Sequence, residues 1–152
     1  ALELDDGTCI SESVAICRYL ESIYPEPNLF GVDAREQAIV EMWTRRCEFY
    51  LANPVMLTVR FTHPALAVLE ATPQPQVADY NRVAAERFMK TLDRHLDGRE
   101  FLALDRFTIA DIVAVVGLDF ARLIKYRPPA ELENLNRWLD ACRARPAASA
   151  GV

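Results

Sequence analysis

DRFTIADI, residues 105–112, carries a complete helix-start signal. If Thr108 is the N-cap, its hydroxyl accepts from the N–H of Asp111, and the Asp111 carboxylate reaches back to the N–H of Thr108. Phe107 and Ile112 then stand just before the cap and at the fourth helical residue, the spacing of a hydrophobic staple. Beyond the cap, residues 109–118 (IADIVAVVGL) are apolar on nearly all sides. A helix of that kind is surrounded by others, so its free N–H groups must be satisfied inside the protein. The stretch therefore predicts a helical bundle with this element at its centre. Its four marked residues, Phe107, Thr108, Asp111 and Ile112, read as structural.

Helices are expected on both sides. Asp33-Ala-Arg-Glu36 has the spacing of another start, followed by an apolar stripe of Ile39, Met42, Trp43, Cys47 and Tyr50 running toward Asn53-Pro54, where the chain should bend or stop. A second helical piece covers Val55 to Phe61, and ATPQPQ (71–76) reads as a surface loop. Tyr80, Ala84, Phe88, Leu92 and Leu96 then recur every four residues until Gly98 closes their helix. Leu132, Leu135, Leu139 and Cys142 form the last stripe, with Trp138 at its edge, and Arg145-Pro146 ends it. The sum is about five bundle helices.

The first thirty residues differ in character. ALEL and TCI flank Asp5-Asp6-Gly7, a tight hairpin turn. An apolar helix spans Ser13 to Tyr24 and is stopped by Pro25 and Pro27, after which PEPNLFGVD (25–33) reads as a linker. A two-stranded ribbon is marginal in water, so this hairpin is expected to fray or to pair with further strands. With Ala at position 1 and strand-like sequence immediately after it, the chain reads as a truncated or processed piece.

Composition narrows the function. A net charge of -5 and a pI near 5.1 argue against a nucleic-acid surface, which needs clustered cations. The four cysteines form no C-x-x-C pair, and His63 and His95 are far apart in sequence, so no zinc pattern is present. Cys17, Cys47 and Cys142 read as small buried hydrophobes in a reducing cytoplasm, and Cys9 as a packing residue in its strand. No apolar run approaches the roughly 20 residues of a membrane span.

Ser11-Glu12-Ser13 is where chemistry could sit. A strand that ends and a helix that begins within three residues present free N–H groups and a helix dipole, which can hold a carboxylate. Ser13 adds a hydroxyl, and Glu12 could accept from an ammonium. The pair suits an amino-acid head group. On spacing alone it better suits an ordinary helix cap with a dipole-favouring Glu.

Taken together, the DDG hairpin, ISESVAICRYL (10–20), the proline-bearing linker, the Trp-containing helix, DRFTIADI and the closing NLNRWLDACRARP (134–146) resemble the cytosolic glutathione transferases, especially bacterial members. The resemblance implies a mainly α fold: an all-α C-terminal bundle (33–152) after a linker (25–32) and a hairpin-plus-helix remnant (1–24) of a thioredoxin-like α/β domain. It implies that Glu12 and Ser13 bind the γ-glutamyl end of glutathione as cosubstrate, with no metal, and that Thr108 and Asp111 form the family's capping box. The thiol-activating Tyr, Ser or Cys is expected upstream of Ala1, so no catalytic residue is assigned within the chain, which alone would be inactive. Candidates for the acceptor pocket are Trp43, Phe49, Tyr50, Phe120 and Lys125, and Arg45 and Arg46 could face the second subunit of a homodimer. The rival readings are a non-catalytic interaction module of the kind fused to translation factors or synthetases, and a glutathione-dependent isomerase, dehalogenase or disulfide reductase.

Overall fold

A computed structural model describes residues 1–70, 72 and 74–149. It opens with two short antiparallel strands, β1 (Leu2–Glu3) and β2 (Cys9–Ile10), in the register Leu2 to Ile10 and Glu3 to Cys9. Gly7 N donates to Leu4 O and Leu4 N to Thr8 O, both at 2.9 Å. Gly7 holds φ at +83°, a left-handed value that glycine adopts without steric cost. Helix α1 (Ser13–Ile23) follows directly.

The bundle begins with α2 (Ala34–Cys47), whose N-cap Asp33 accepts from Glu36 N at 2.8 Å. The chain does not break at Asn53-Pro54. A π-turn over Glu48–Ala52 carries α2 straight into α3 (Asn53–Thr62). Pro54 has no N–H for the carbonyl four residues back, and the wider turn before it absorbs that defect. The short α4 (Pro64–Ala67) precedes α5 (Pro75–His95), then α6 (Ile109–Phe120) and α7 (Glu133–Arg143). Of the expected loop 71–76, residues 71 and 73 lie outside the described residues, and Pro75 and Gln76 already belong to α5.

One large core joins Leu51, Val55 and Val59 to Met89 and Leu92 of α5, Leu118 of α6 and Leu135, Trp138 and Leu139 of α7. Three details depart from the sequence reading. The α5 stripe in the core is Ala78, Ala85, Met89, Leu92 and Leu96, while Tyr80 is 76% exposed. Steps of four overshoot a helical turn by about 40° each, so a strict four-residue series drifts off the buried face. Trp138 is fully buried at the centre of its stripe rather than at its edge, because its indole N–H finds an acceptor inside. On α6, Val116 is exposed, so that helix is covered on the α2, α3 and α7 sides and open on one flank.

A second, smaller core of Phe30, Val40 and Ile109 seats the N-terminal part on the bundle, with Val14 and Cys17 of α1 and Ile112 of α6 packed against it. The architecture is mainly α: a helical bundle after a small hairpin-and-helix segment.

Candidate functional site

The joint between β2 and α1 is the most unusual backbone in the N-terminal part. Glu12, the residue before the first helical turn, sits at φ 67° and ψ 119°. A left-handed φ in a residue with a Cβ costs roughly 1–3 kcal/mol and persists where surrounding structure or function holds it. No side chain caps α1 and no acid lies in its first turn, so its leading N–H groups keep their partial positive charge. Glu12 and Ser13 are exposed. They line a cleft of about 620 Å³ whose opposite wall is the charged face of α2.

That wall is an ion ladder. Arg18 Nη2 of α1 meets Glu41 Oε2 at 3.1 Å, Glu41 Oε1 meets Arg45 Nε at 2.9 Å, and Arg45 goes on to Glu48. The Arg18 guanidinium also lies 4.5 Å from the centroid of the Phe30 ring. Arg45 is thus committed within its own chain, and Arg46 sits over the Trp43 ring at 4.9 Å. Chemically, the cleft offers N–H groups and a hydroxyl for a carboxylate and Glu12 for an ammonium. The spacing of Glu41, Arg45 and Glu48 at i, i+4 and i+7 was the available signal for the ladder.

The other sequence-derived candidates do not converge. Trp43 is buried, stacked on His95 with centroids 3.9 Å apart, and its edge reaches a groove of about 760 Å³ shared with Arg35, Met42 and Arg99. Phe49 and Tyr50 are exposed on a different groove of about 350 Å³, where Tyr50 meets Phe88 at 5.6 Å. Phe120 ends α6, half-exposed, and Lys125 is exposed beyond the following turn at φ 57°. Cys9 is exposed on the hairpin rather than packed. Among the described residues, no group of His, Cys, Asp and Glu gathers to hold a metal ion, and no helix is long and apolar enough to cross a membrane.

At the start of α6 the capping box follows the sequence, whereas the two residues of the expected staple pack on different cores. The reciprocal box of Thr108 and Asp111 forms. The fully buried Asp111 carboxylate accepts from Thr108 N and Trp138 Nε1 at 3.0 Å, from Leu102 N at 3.0 Å and from the Thr108 hydroxyl at 3.1 Å. Burial pushes its pKa up, opposed by those four donors. Phe107 packs on the main core and meets Phe101 edge-on, whereas Ile112 belongs to the smaller core. Arg106, unmarked in the sequence, is bonded to Glu36 and Asn28, which lie 70 and 78 residues away. No local pattern could have announced it.

The C-terminal domain model of glutathione S-transferase matches residues 55–146. The chain belongs to the glutathione S-transferase family. It is 34% identical over 146 residues to glutathione S-transferase 2 of Saccharomyces cerevisiae, covering 95% of this chain and 63% of that relative. The crystal structure of Gtt2 from the same yeast superposes with a TM-score of 0.89 at 33% identity, over 96% of this chain and 71% of that one. A class Gtt2 glutathione S-transferase of Vibrio parahaemolyticus gives a TM-score of 0.84 at 32% identity, over 98% of this chain and 69% of that one. Elongation factor 1-gamma of Rattus norvegicus is 28% identical over 148 residues, 96% of this chain and 32% of that protein. The chain therefore spans less than two thirds of the length of these curated glutathione S-transferase and elongation-factor relatives.

Proposed function

We propose that the protein is a glutathione S-transferase that joins the thiol of glutathione to an electrophilic, mostly apolar substrate, with Glu12 and Ser13 holding the γ-glutamyl end. The observation that carries this reading is the strained, uncapped joint at Glu12 and Ser13 beside an open cleft, in a chain of this family. The N–H groups and the Ser13 hydroxyl take the carboxylate, and Glu12 takes the ammonium. Thiol activation is assigned to none of residues 1–152. The division is 1–24 for the glutathione-binding part, 25–32 for the linker and 33–152 for the helical domain. The protein works in the cytoplasm as a homodimer, without metal, nucleic acid or membrane. The identity to the Gtt2 proteins supports this assignment.

Titration of the protein as its gene encodes it with glutathione tests the reading. Binding at millimolar glutathione, weakened by Ser13→Ala and Glu12→Gln, is expected. No binding at that concentration overturns it and favours the second reading, a non-catalytic interaction module. The likeness to elongation factor 1-gamma supports that alternative. An isomerase, dehalogenase or disulfide reductase of the same family would bind glutathione equally and differ in its product.

A further inference from the structure

Helix α1 carries Ser13, yet none of its residues is fully buried. Its apolar anchorage is limited to Val14 and Cys17 against the smaller core. What fixes its far end is polar. The Glu21 carboxylate accepts from Asn28 Nδ2 at 2.9 Å and from the backbone N–H groups of Leu29 and Phe30. Asn28 Oδ1 accepts in turn from Gly31 N and from Arg106 Nη2, each at 3.0 Å. Arg106 grips Glu36 with both terminal nitrogens, Nη1 to Oε1 at 3.0 Å, while Glu36 Oε2 also accepts from Val32 N at 3.0 Å. At Gly31 an added Cβ would lie 2.6 Å from Gln37 N, so the linker backbone is pressed directly onto α2.

One guanidinium thus joins the linker, the first turn of α2 and the approach to α6, and through Asn28 it reaches the end of α1. An isolated surface ion pair contributes little. This one is different in kind, because a planar fork is shared between a carboxylate and a neutral amide that is itself part of a chain of bonds.

We propose that Arg106 is a positioning residue for the Glu12–Ser13 cleft, setting how α1 sits on the bundle without touching a ligand itself. The inference rests on the reading of Glu12 and Ser13 as a glutathione clamp. A loosened α1 moves Ser13 and its N–H groups relative to the α2 wall, which costs binding, while the thiol chemistry is unaffected once the ligand is seated.

The test compares Arg106→Ala, Arg106→Lys and a control, Arg143→Ala, in the protein as its gene encodes it. Arg143 pairs with Asp119 between α7 and α6 at matching exposure, its side chain 35% exposed as is that of Arg106. Arg106→Ala is expected to raise KM for glutathione roughly five- to tenfold with kcat within about twofold, since binding geometry is lost and chemistry is not. Arg106→Lys restores part of the effect, because an ammonium can meet Glu36 but lacks the planar fork that grips both carboxylate oxygens and Asn28 together. Arg143→Ala leaves KM unchanged. Hydrogen exchange supplies the second readout: Arg106→Ala speeds exchange of the α1 amides and leaves those of α6 alone. An unchanged KM in Arg106→Ala, or an equal rise in Arg143→Ala, overturns the proposal. If the unsubstituted protein binds no glutathione, the clamp reading fails. Exchange then decides for Arg106 by itself, with unchanged α1 amides in Arg106→Ala overturning its role.

Discussion

Trp138 donates its indole N–H to Oδ1 of Asp111 at 3.0 Å, with both side chains fully buried. The same oxygen accepts from Leu102 N, so one acid ties α7 and the loop before α6 to the cap of α6 itself. A capping box of sequence-local logic has become the hub of the bundle.

Asp111→Ala removes the acceptor for four buried donors at once. The expected loss is about 3–5 kcal/mol, because each stranded N–H or O–H carries its desolvation cost uncompensated. Asp111→Asn keeps one carbonyl oxygen but turns an NH2 toward donors, so it should fall between wild type and alanine. Urea unfolding midpoints check the order. A loss under about 1 kcal/mol for alanine would mean that water replaces the carboxylate.

Glycine inside a helix ordinarily gains about 1 kcal/mol when replaced by alanine. Gly117 should do the reverse. A Cβ there would stand 2.8 Å from Ala52 Cβ and 2.9 Å from Ala52 Cα, where α6 crosses the π-turn. Gly117→Ala is expected to destabilise by about 1–3 kcal/mol through overpacking. Adding Ala52→Gly should recover part of the loss, and thermal melts of the three variants give the sign directly.

The Arg106 guanidinium holds the Glu36 carboxyl at about 2, below its ordinary 4.5. A depressed folded-state value means that the pair stabilises the fold above pH 4.5 and that this contribution is lost as pH falls through about 2. The stability gap between wild type and Glu36→Gln should accordingly close across that window. A gap that stays constant from pH 5 to pH 2 would contradict the assignment.

The thiols should separate cleanly by reactivity. Cys9 is exposed, Cys17 half-buried, and Cys47 and Cys142 buried. Burial pushes Cys47 far up and Cys142 up to about 12, which suppresses the reactive thiolate. Titration of the folded protein with a chromogenic disulfide should modify Cys9 first and Cys17 slowly, with Cys47 and Cys142 released only by denaturant. Mass mapping of the modified peptides identifies each.

What the sequence revealed was local. Thr108 and Asp111, Asp33 and Glu36, and the Asp5-Asp6-Gly7 turn all act over two to four residues, and each was legible because backbone geometry fixes such spacings. Glu12 and Ser13 were legible as a joint for the same reason, although the left-handed φ of Glu12 was not. Trp138 was misplaced because its environment depends on an acceptor in another helix. The drift of Tyr80 off the buried face follows from helical pitch, and a count of threes and fours would have found Ala85 and Met89. Arg106 lay beyond any periodic argument, since its partners are joined to it only by the folded chain. The proposed pocket residues scattered because aromatic side chains at helical spacing mark several faces at once.

The π-turn makes chain length itself a structural variable. Within Glu48–Ala52 one residue is accommodated beyond what an α-helix of the same span would hold. Removing it would leave a regular α-helix of the same span, with the downstream residues on the faces they already occupy. Forcing the turn into α geometry with the residue retained would instead rotate everything downstream by about 100°, taking Val55, Thr58 and Val59 from the core toward water and Ala52 off its seat on Gly117. Loss of one residue within Glu48–Ala52 should therefore be tolerated where loss of one from the middle of α3 is not.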